Sequence, residues 1–298
     1  MEWLYHLLPR GEASSPSYAP ASLASEGFIH ASFRGAVQGS ARLHFPAGSD
    51  LVALQLDPRR LDAAVTLADT PRGPMPHIHG PIARDAVRAT LELAEIGAAP
   101  SRVTGTRFAF VAFEGMTLLD LVGAYDPLSR IASMGFDREA TFTLVSADGR
   151  CVWTAPGAAL TVTEVRPPLD AYDVVVIPGG PATRALEKDA AVIAWLAAYP
   201  HNRLVASVCT GALLLGAAGR LRGRRATTHH RELGRLAAHG ATAVRERVVD
   251  DGQLVTAGGV TCALDLGIHL VRRLEGDDIA TAIAAQMELP AVGSLAST

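Results

Sequence analysis

Between Arg107 and Met287 the chain alternates short runs of consecutive apolar residues with longer stretches in which apolar positions recur at helical spacing. The short runs predict strands at Phe108 to Phe113, Thr141 to Ser146, Asp173 to Ile177, Leu204 to Val208 and Leu254 to Ala257, with a strand-like piece at Ala226-Thr227. The longer stretches predict helices over Leu118 to Met134, Asp189 to Tyr199, Glu232 to His239, Asp265 to Leu274 and Asp278 to Met287. A hairpin-like excursion follows the second strand as far as Thr163. Strands apolar on both faces, alternating with helices, imply an α/β domain with a doubly wound parallel sheet covered on both sides. Ligands of such sheets sit at the carboxyl ends of the strands. Cys209, Gly179-Gly180 and Gly258-Gly259 all fall at such ends.

The first hundred residues read differently. Turn-rich segments enclose short strands, as at Asp50 to Leu56, and a helical stretch is predicted from Arg84 to Ile96. This predicts a smaller α+β domain over residues 1–98, a boundary near Gly97-Ala98-Ala99-Pro100-Ser101, and a second domain over residues 106–290. Histidines recur here in Tyr5-His6, Ile29-His30 and Pro76-His77-Ile78-His79. Their spacing fits no standard metal site, and His6, His30 and His77 are candidates for a shared pocket.

Composition narrows the function. Of 298 residues 49% are hydrophobic and 19% charged, which suits large dry cores, and the net charge of −3 points to no polyanionic partner. The densest basic stretch, Arg220-Leu221-Arg222-Gly223-Arg224-Arg225, reads as a solvated loop after a helix, so no nucleic-acid partner is expected. No run of about twenty uncharged apolar residues predicts a membrane span. Three cysteines (Cys151, Cys209, Cys262) are too few and too scattered for a disulfide framework, and no CxxC pair suggests zinc. With no basic-then-apolar leader at Met1 to His6, a cytoplasmic location is expected.

Cys209 carries the candidate chemistry. The apolar run Leu204 to Val208 breaks at Cys209, and an Ala/Leu-rich helical stretch begins at once. A residue at such a turn sits on a sharp bend with its side chain pushed out of the fold, in the manner of a nucleophile elbow. Amides of the following helix are expected to favour thiolate and to hold a developing anion. Asp120 lies between leucines where the first strand of the domain passes into its first helix, a place where a carboxyl needs a partner. Asp120 is either the acid beside Cys209 or a carboxylate stabilised by its own helix. Cys209 is followed by Thr210, so no conventional Cys-His dyad adjoins it, although His229 and His230 could reach the rim. No His-x-Glu pair lies toward the C-terminus to complete an amidotransferase triad.

These motifs resemble the ThiJ/PfpI superfamily, whose fold is flavodoxin-like, and within it the isonitrile hydratases. The resemblance rests on Leu119-Asp120-Leu121-Val122-Gly123, Val176-Ile177-Pro178-Gly179-Gly180, Ser207-Val208-Cys209-Thr210-Gly211, Arg224 to His229, Glu246 to Gly252 and Thr256 to Thr261. The hydratase pattern is departed from at Ala124 and His230, where Pro and Trp are usual. The resemblance implies that Cys209 attacks the terminal carbon of an isonitrile while Asp120 supplies the proton and Thr210 orients water or substrate. Gly179, Gly180, Gly211 and His229 are then substrate-binding or oxyanion positions, with the amides of Gly180 and Thr210 steadying charge. It also implies a small-molecule substrate, no cofactor, no metal and a homodimer. Two alternatives are a glyoxalase, deglycase or amidase of the same superfamily, and a cysteine-based sensor. Regulators of the superfamily carry a C-terminal helix-turn-helix region, which is not expected in a chain ending at Thr298.

The first domain resembles a small bacterial family of unassigned function, distantly similar to ADP-ribosyltransferase-like folds. The marks are Tyr5-His6, Glu26 to Ser32 and Pro76-His77-x-x-Gly80-Pro81, with Asp69 the nearest candidate for an acidic position before the last motif. A ligand-binding or accessory module is expected.

Overall fold

A computed structural model describes residues 2–13, 17–71, 73–98, 103–155 and 157–289. The chain divides into two compact units, Met1–Val103 and Thr104–Thr298. Residues 99–101 of the expected boundary, and residue 290 at the expected end of the second domain, lie outside the described residues.

The second unit is built on a seven-stranded sheet. In chain order its strands are β1 (Arg107–Ala112), β2 (Thr141–Ser146), β3 (Glu164–Val165), β4 (Val174–Ile177), β5 (Leu204–Val208), β6 (Val248–Asp251) and β7 (Leu254–Ala257). They lie side by side as β3-β2-β1-β4-β5-β7-β6. All neighbours are parallel except β6, which pairs antiparallel with β7 at the edge. Every residue of β4, β5 and β7 is buried, as their unbroken apolar runs require. The strand order reverses between β1 and β4, and the crevice beyond such a switch point is where open α/β sheets bind ligands. Register then aligns the strand ends: Ile177 lies opposite Ser207, and Val208 opposite Ala257. Pro178-Gly179-Gly180, Cys209-Thr210-Gly211 and Gly258-Gly259-Val260 are thereby brought to one rim.

The helices follow the pattern of the sequence. They are α1 (Leu118–Ser133), α2 (Ala190–Ala197), α3 (Gly211–Ala217), α4 (Cys262–Glu275) and α5 (Asp277–Gln286). Asp189 caps α2, accepting from the N–H groups of Ala191 and Val192. Helix α3 is buried from Gly211 to Gly216, which explains a sequence apolar on every side. Helices α1 and α4 approach closely at Gly123, where a Cβ would stand 2.8 Å from that of Ala263. The predicted helix over Glu232 to His239 is a helical turn, His230–Glu232, leading into Leu233–Ala238.

The first unit contains two three-stranded antiparallel sheets and short helices. One sheet joins Leu4–Pro9, Leu51–Leu56 and Val87–Glu92. The helix expected over Arg84 to Ile96 is not formed; Val87–Glu92 is a strand paired with Leu51–Leu56. Its residues alternate half-buried and exposed along Val-Arg-Ala-Thr-Leu-Glu, a period of two that outweighs the helical propensity of Ala, Leu and Glu.

Candidate active site

Cys209 occupies the bend between β5 and α3 with a φ of 54°, a left-handed conformation uncommon for a residue with a side chain. The bend is held from both sides. The Cys209 N–H donates to the carbonyls of Ala257 and Gly258 at 3.0 and 2.8 Å, and the Thr228 hydroxyl donates to the Cys209 carbonyl at 2.7 Å. This is the strained strand-to-helix turn expected of a nucleophile elbow. The backbone N–H groups of Thr210 and Val260 both reach its sulfur.

Two expectations about the sulfur are corrected. It is not pushed out to solvent: Cys209 is 6% exposed. Nor is the free thiol shifted toward thiolate. Burial, followed by the charge of Asp120, pushes its pKa up to about 11 despite the two amides. Desolvation disfavours the charged form more than the local dipoles favour it.

Asp120 enters from the first turn of α1 and is fully buried. Its Oδ2 accepts the Gly179 N–H at 3.0 Å, and its carboxyl interacts with the Cys209 thiol. Oδ1 accepts no bond from a nitrogen or oxygen donor among the described residues. Burial pushes the Asp120 pKa up to about 6, with the Gly179 amide and the thiol opposing that rise. At neutral pH the favoured state of the pair is carboxylate and thiol, with the thiol proton beside the carboxylate. Moving that proton across produces a thiolate with a carboxylic acid next to it.

The glycines serve close approach. A Cβ at Gly179 would lie 2.6 Å from the Thr210 nitrogen and 2.9 Å from Asp120 Oδ2, and one at Gly211 would lie 2.5 Å from the Ile177 carbonyl. Gly180 has a φ of 148°, and its Cβ would lie 2.6 Å from the Gly115 carbonyl oxygen. The amides of Gly179, a candidate substrate-binding position, and of Gly180, one of the two expected to steady charge, are already engaged. The first bonds Asp120, and the second donates to Thr210 Oγ1 at 2.9 Å. The Thr210 hydroxyl in turn donates to the Gly180 carbonyl at 3.2 Å, so it holds the turn instead of being left to orient water. The amides at the sulfur are those of Thr210 and Val260. Val260 was not foreseen: Gly258-Gly259 marks the turn, but nothing in a valine announces its φ of 41°.

His229 packs on that same turn, with its Cδ2 2.9 Å from where a Cβ of Gly259 would be. Its Nδ1 accepts the Arg231 N–H at 3.4 Å, and its ring lies 4.4 Å from that of His230. Burial and the neighbouring His230 lower its pKa, which favours the neutral ring. Ala124 is buried in α1, and His230 is exposed. Cys262 is buried and Cys151 exposed, both as free thiols. Among the described residues no group of three or more His, Cys, Asp or Glu could hold a metal ion, and no helix is long and apolar enough to cross a membrane.

A thiol on a strand-to-helix elbow, paired with an acid from the helix after β1, beside the switch point of a flavodoxin-like sheet, defines a class of cysteine-centred α/β proteins. Residues 106–273 match the DJ-1/PfpI family, and the chain belongs to it. Residues 10–90 match a protein family of unknown function, DUF952. The chain is 36% identical over 183 residues to an isonitrile hydratase of Pseudomonas putida, covering 61% of this chain and 78% of that protein. It is also 28% identical over 192 residues to the HTH-type transcriptional regulator GbdR of Pseudomonas aeruginosa, 63% of this chain and about half (52%) of that regulator. Among solved structures, a THiJ/PfpI family protein from Pseudomonas syringae superposes with a TM-score of 0.56 at 31% identity, over 67% of this chain and 82% of that one.

Proposed function

We propose that the Thr104–Thr298 unit is a cofactor-free hydratase that converts isonitriles and water to N-substituted formamides. The observation that carries this reading is the Asp120–Cys209 pair, a buried carboxyl and thiol in contact, with the Thr210 and Val260 amides on the sulfur. The 36% identity to an isonitrile hydratase supports the substrate class.

The chemistry is an addition at one carbon. Asp120 takes the thiol proton as Cys209 attacks the terminal carbon of R–N≡C, and then delivers that proton to the same carbon. The product is a thioimidate, R–N=CH–S–Cys209. Water adds to this carbon, the C–S bond breaks, the nitrogen gains a proton, and the sulfur recovers its own through Asp120. The sum is R–NC plus H2O giving R–NH–CHO. The apolar walls raise the carboxyl's pKa, so it is a stronger base toward the thiol than it would be in water, and the proton it takes is held beside the carbon that receives it. The Thr210 and Val260 amides stabilise negative charge on the departing sulfur.

Pairing of two copies belongs to the same proposal. Leu119 and Val122, three residues apart on α1, and Val260 on the rim are exposed apolar side chains at 40%, 38% and 36%. Burying them against a second copy would remove apolar surface from water beside the site.

The test offers the protein a series of alkyl and aryl isonitriles alongside methylglyoxal, and follows formamide and lactate by NMR. Formamide formed by wild type and absent with Cys209→Ala is expected. Lactate without formamide would move the site to glyoxalase chemistry. Neither product would leave Cys209 as a sensor thiol.

A further inference from the structure

The first unit carries a half-open cavity of about 650 Å³, within the size range of small-molecule sites. Tyr5, Leu7, Tyr18, Phe45 and Met75 supply much of its wall, and His6, His30 and His77 all line it. His6 is the informative residue. It is 6% exposed, and its Nδ1 lies 2.7 Å from the His30 carbonyl oxygen. A carbonyl only accepts, so the proton is on Nδ1 and Nε2 carries a lone pair. That Nε2 is buried and has no hydrogen-bond partner among the described residues. Burial lowers the His6 pKa to about 4, so the ring stays neutral at physiological pH and Nε2 remains an acceptor. An orphaned acceptor in a core calls for an explanation, and a ligand donor supplies one.

Charge in the wall narrows the ligand. Glu12 and Glu26 line the cavity, while no Lys or Arg does among the described residues. Glu26 pairs with His30 at 3.0 Å, and Glu12 accepts the Tyr18 hydroxyl at 3.4 Å. Arg34, whose charge reaches Tyr5, is not part of the wall. Among the described wall residues, phosphate and carboxylate groups therefore meet carboxylates and aromatic rings with no Lys or Arg to receive them.

We propose that the Met1–Val103 unit is a binding module whose cavity takes an uncharged, ring-containing organic molecule that donates one N–H to His6 Nε2. The aromatic and thioether side chains hold the ring, and the His6 Nε2 acceptor fixes its orientation. The cavity is lined by residues of the first unit, and the proposal does not depend on the hydratase reading.

The test uses the full chain labelled with ¹⁵N-histidine and three sets of ring compounds of matched size. The neutral N–H donors are indole and 2-pyridone, the N-methylated controls are 1-methylindole and 1-methyl-2-pyridone, and the anion is indole-3-carboxylate. The N–H donors are expected to shift the His6 Nε2 resonance saturably, the N-methyl forms to bind at least about tenfold more weakly, and the anion not to bind. His6→Phe should abolish the discrimination between N–H and N-methyl forms. Because that variant also loses the bond to His30, the wild-type titration decides if it fails to fold. The proposal is overturned if no N–H donor moves His6 Nε2, if methylation leaves binding unchanged, or if the carboxylate binds as well as the neutral rings.

Discussion

The Thr210 hydroxyl closes on both polar groups of Gly180, accepting from its N–H at 2.9 Å and donating to its carbonyl at 3.2 Å. This ties the loop after β4, whose Gly179 N–H holds Asp120, to the first residue beyond Cys209, so acid and sulfur keep a fixed spacing.

Thr210→Val keeps the shape but leaves the buried Gly180 N–H without its acceptor. A buried unsatisfied donor costs about 1–3 kcal/mol, so the unfolding midpoint in urea should fall accordingly, with Thr210→Ser restoring most of it. Were the hydroxyl instead orienting water, Thr210→Val would lower kcat and leave stability near wild type.

Much of the second unit was legible in its sequence because its signals are local. The apolar runs of β4, β5 and β7 have one reading when helices alternate with them, and a break from Val208 into Cys209-Thr210-Gly211 marks an elbow. The partner of each side chain was less legible. Gly179 and Gly180 read as substrate-binding or oxyanion positions, yet their N–H groups answer Asp120 and Thr210, 59 and 30 residues away. The state of the sulfur was misread for a related reason: helix amides are visible in a sequence, whereas desolvation depends on everything packed around the site. In the first unit, Val87–Glu92 pairs across the fold with Leu51–Leu56, and a long-range partner overrode residues that favour helix.

Alkylation kinetics should expose the coupling of the pair. At pH 8 the exposed Cys151 should react first with iodoacetamide, and Cys209, with its pKa pushed up to about 11, far more slowly. Part of that rise is the charge of Asp120. In a Cys151→Ser background, Asp120→Asn should therefore speed alkylation of Cys209, read by mass spectrometry of its peptide. An unchanged or slower rate would separate the two groups electrostatically.

Gly179→Ala tests the close approach directly. The new Cβ would meet the Thr210 nitrogen at 2.6 Å and Asp120 Oδ2 at 2.9 Å, so one side of the pair must move. Overpacking of this kind costs about 1–3 kcal/mol, and kcat should fall with it. Gly149→Ala, whose new Cβ would have no atom of the described residues within 4 Å, is the control and should match wild type in both. Normal turnover in Gly179→Ala would show that the spacing is not critical.

Asp120→Asn carries opposite expectations for stability and activity. The Asp120 pKa rises from an ordinary 3.8 to about 6 in the folded protein, chiefly through burial. Below the unfolded value the carboxyl is neutral in both states and costs nothing through ionisation. As pH climbs from there through the folded value, the unfolded chain gives up its proton first, so folding stability declines. The loss is complete above about pH 6 and amounts to about 3 kcal/mol for a shift of this size. The asparagine variant escapes that loss, so its advantage over wild type should be absent near pH 3, grow through the interval and level off by pH 7. Its activity should move the other way. Asparagine cannot take the thiol proton or deliver it to carbon, and loss of a general acid-base group typically lowers kcat by about 100- to 10,000-fold. Urea titrations across that pH range and steady-state formamide production on the same preparation measure both. A stability gain with near-normal turnover would leave Asp120 as a buried carboxylate with no part in the chemistry.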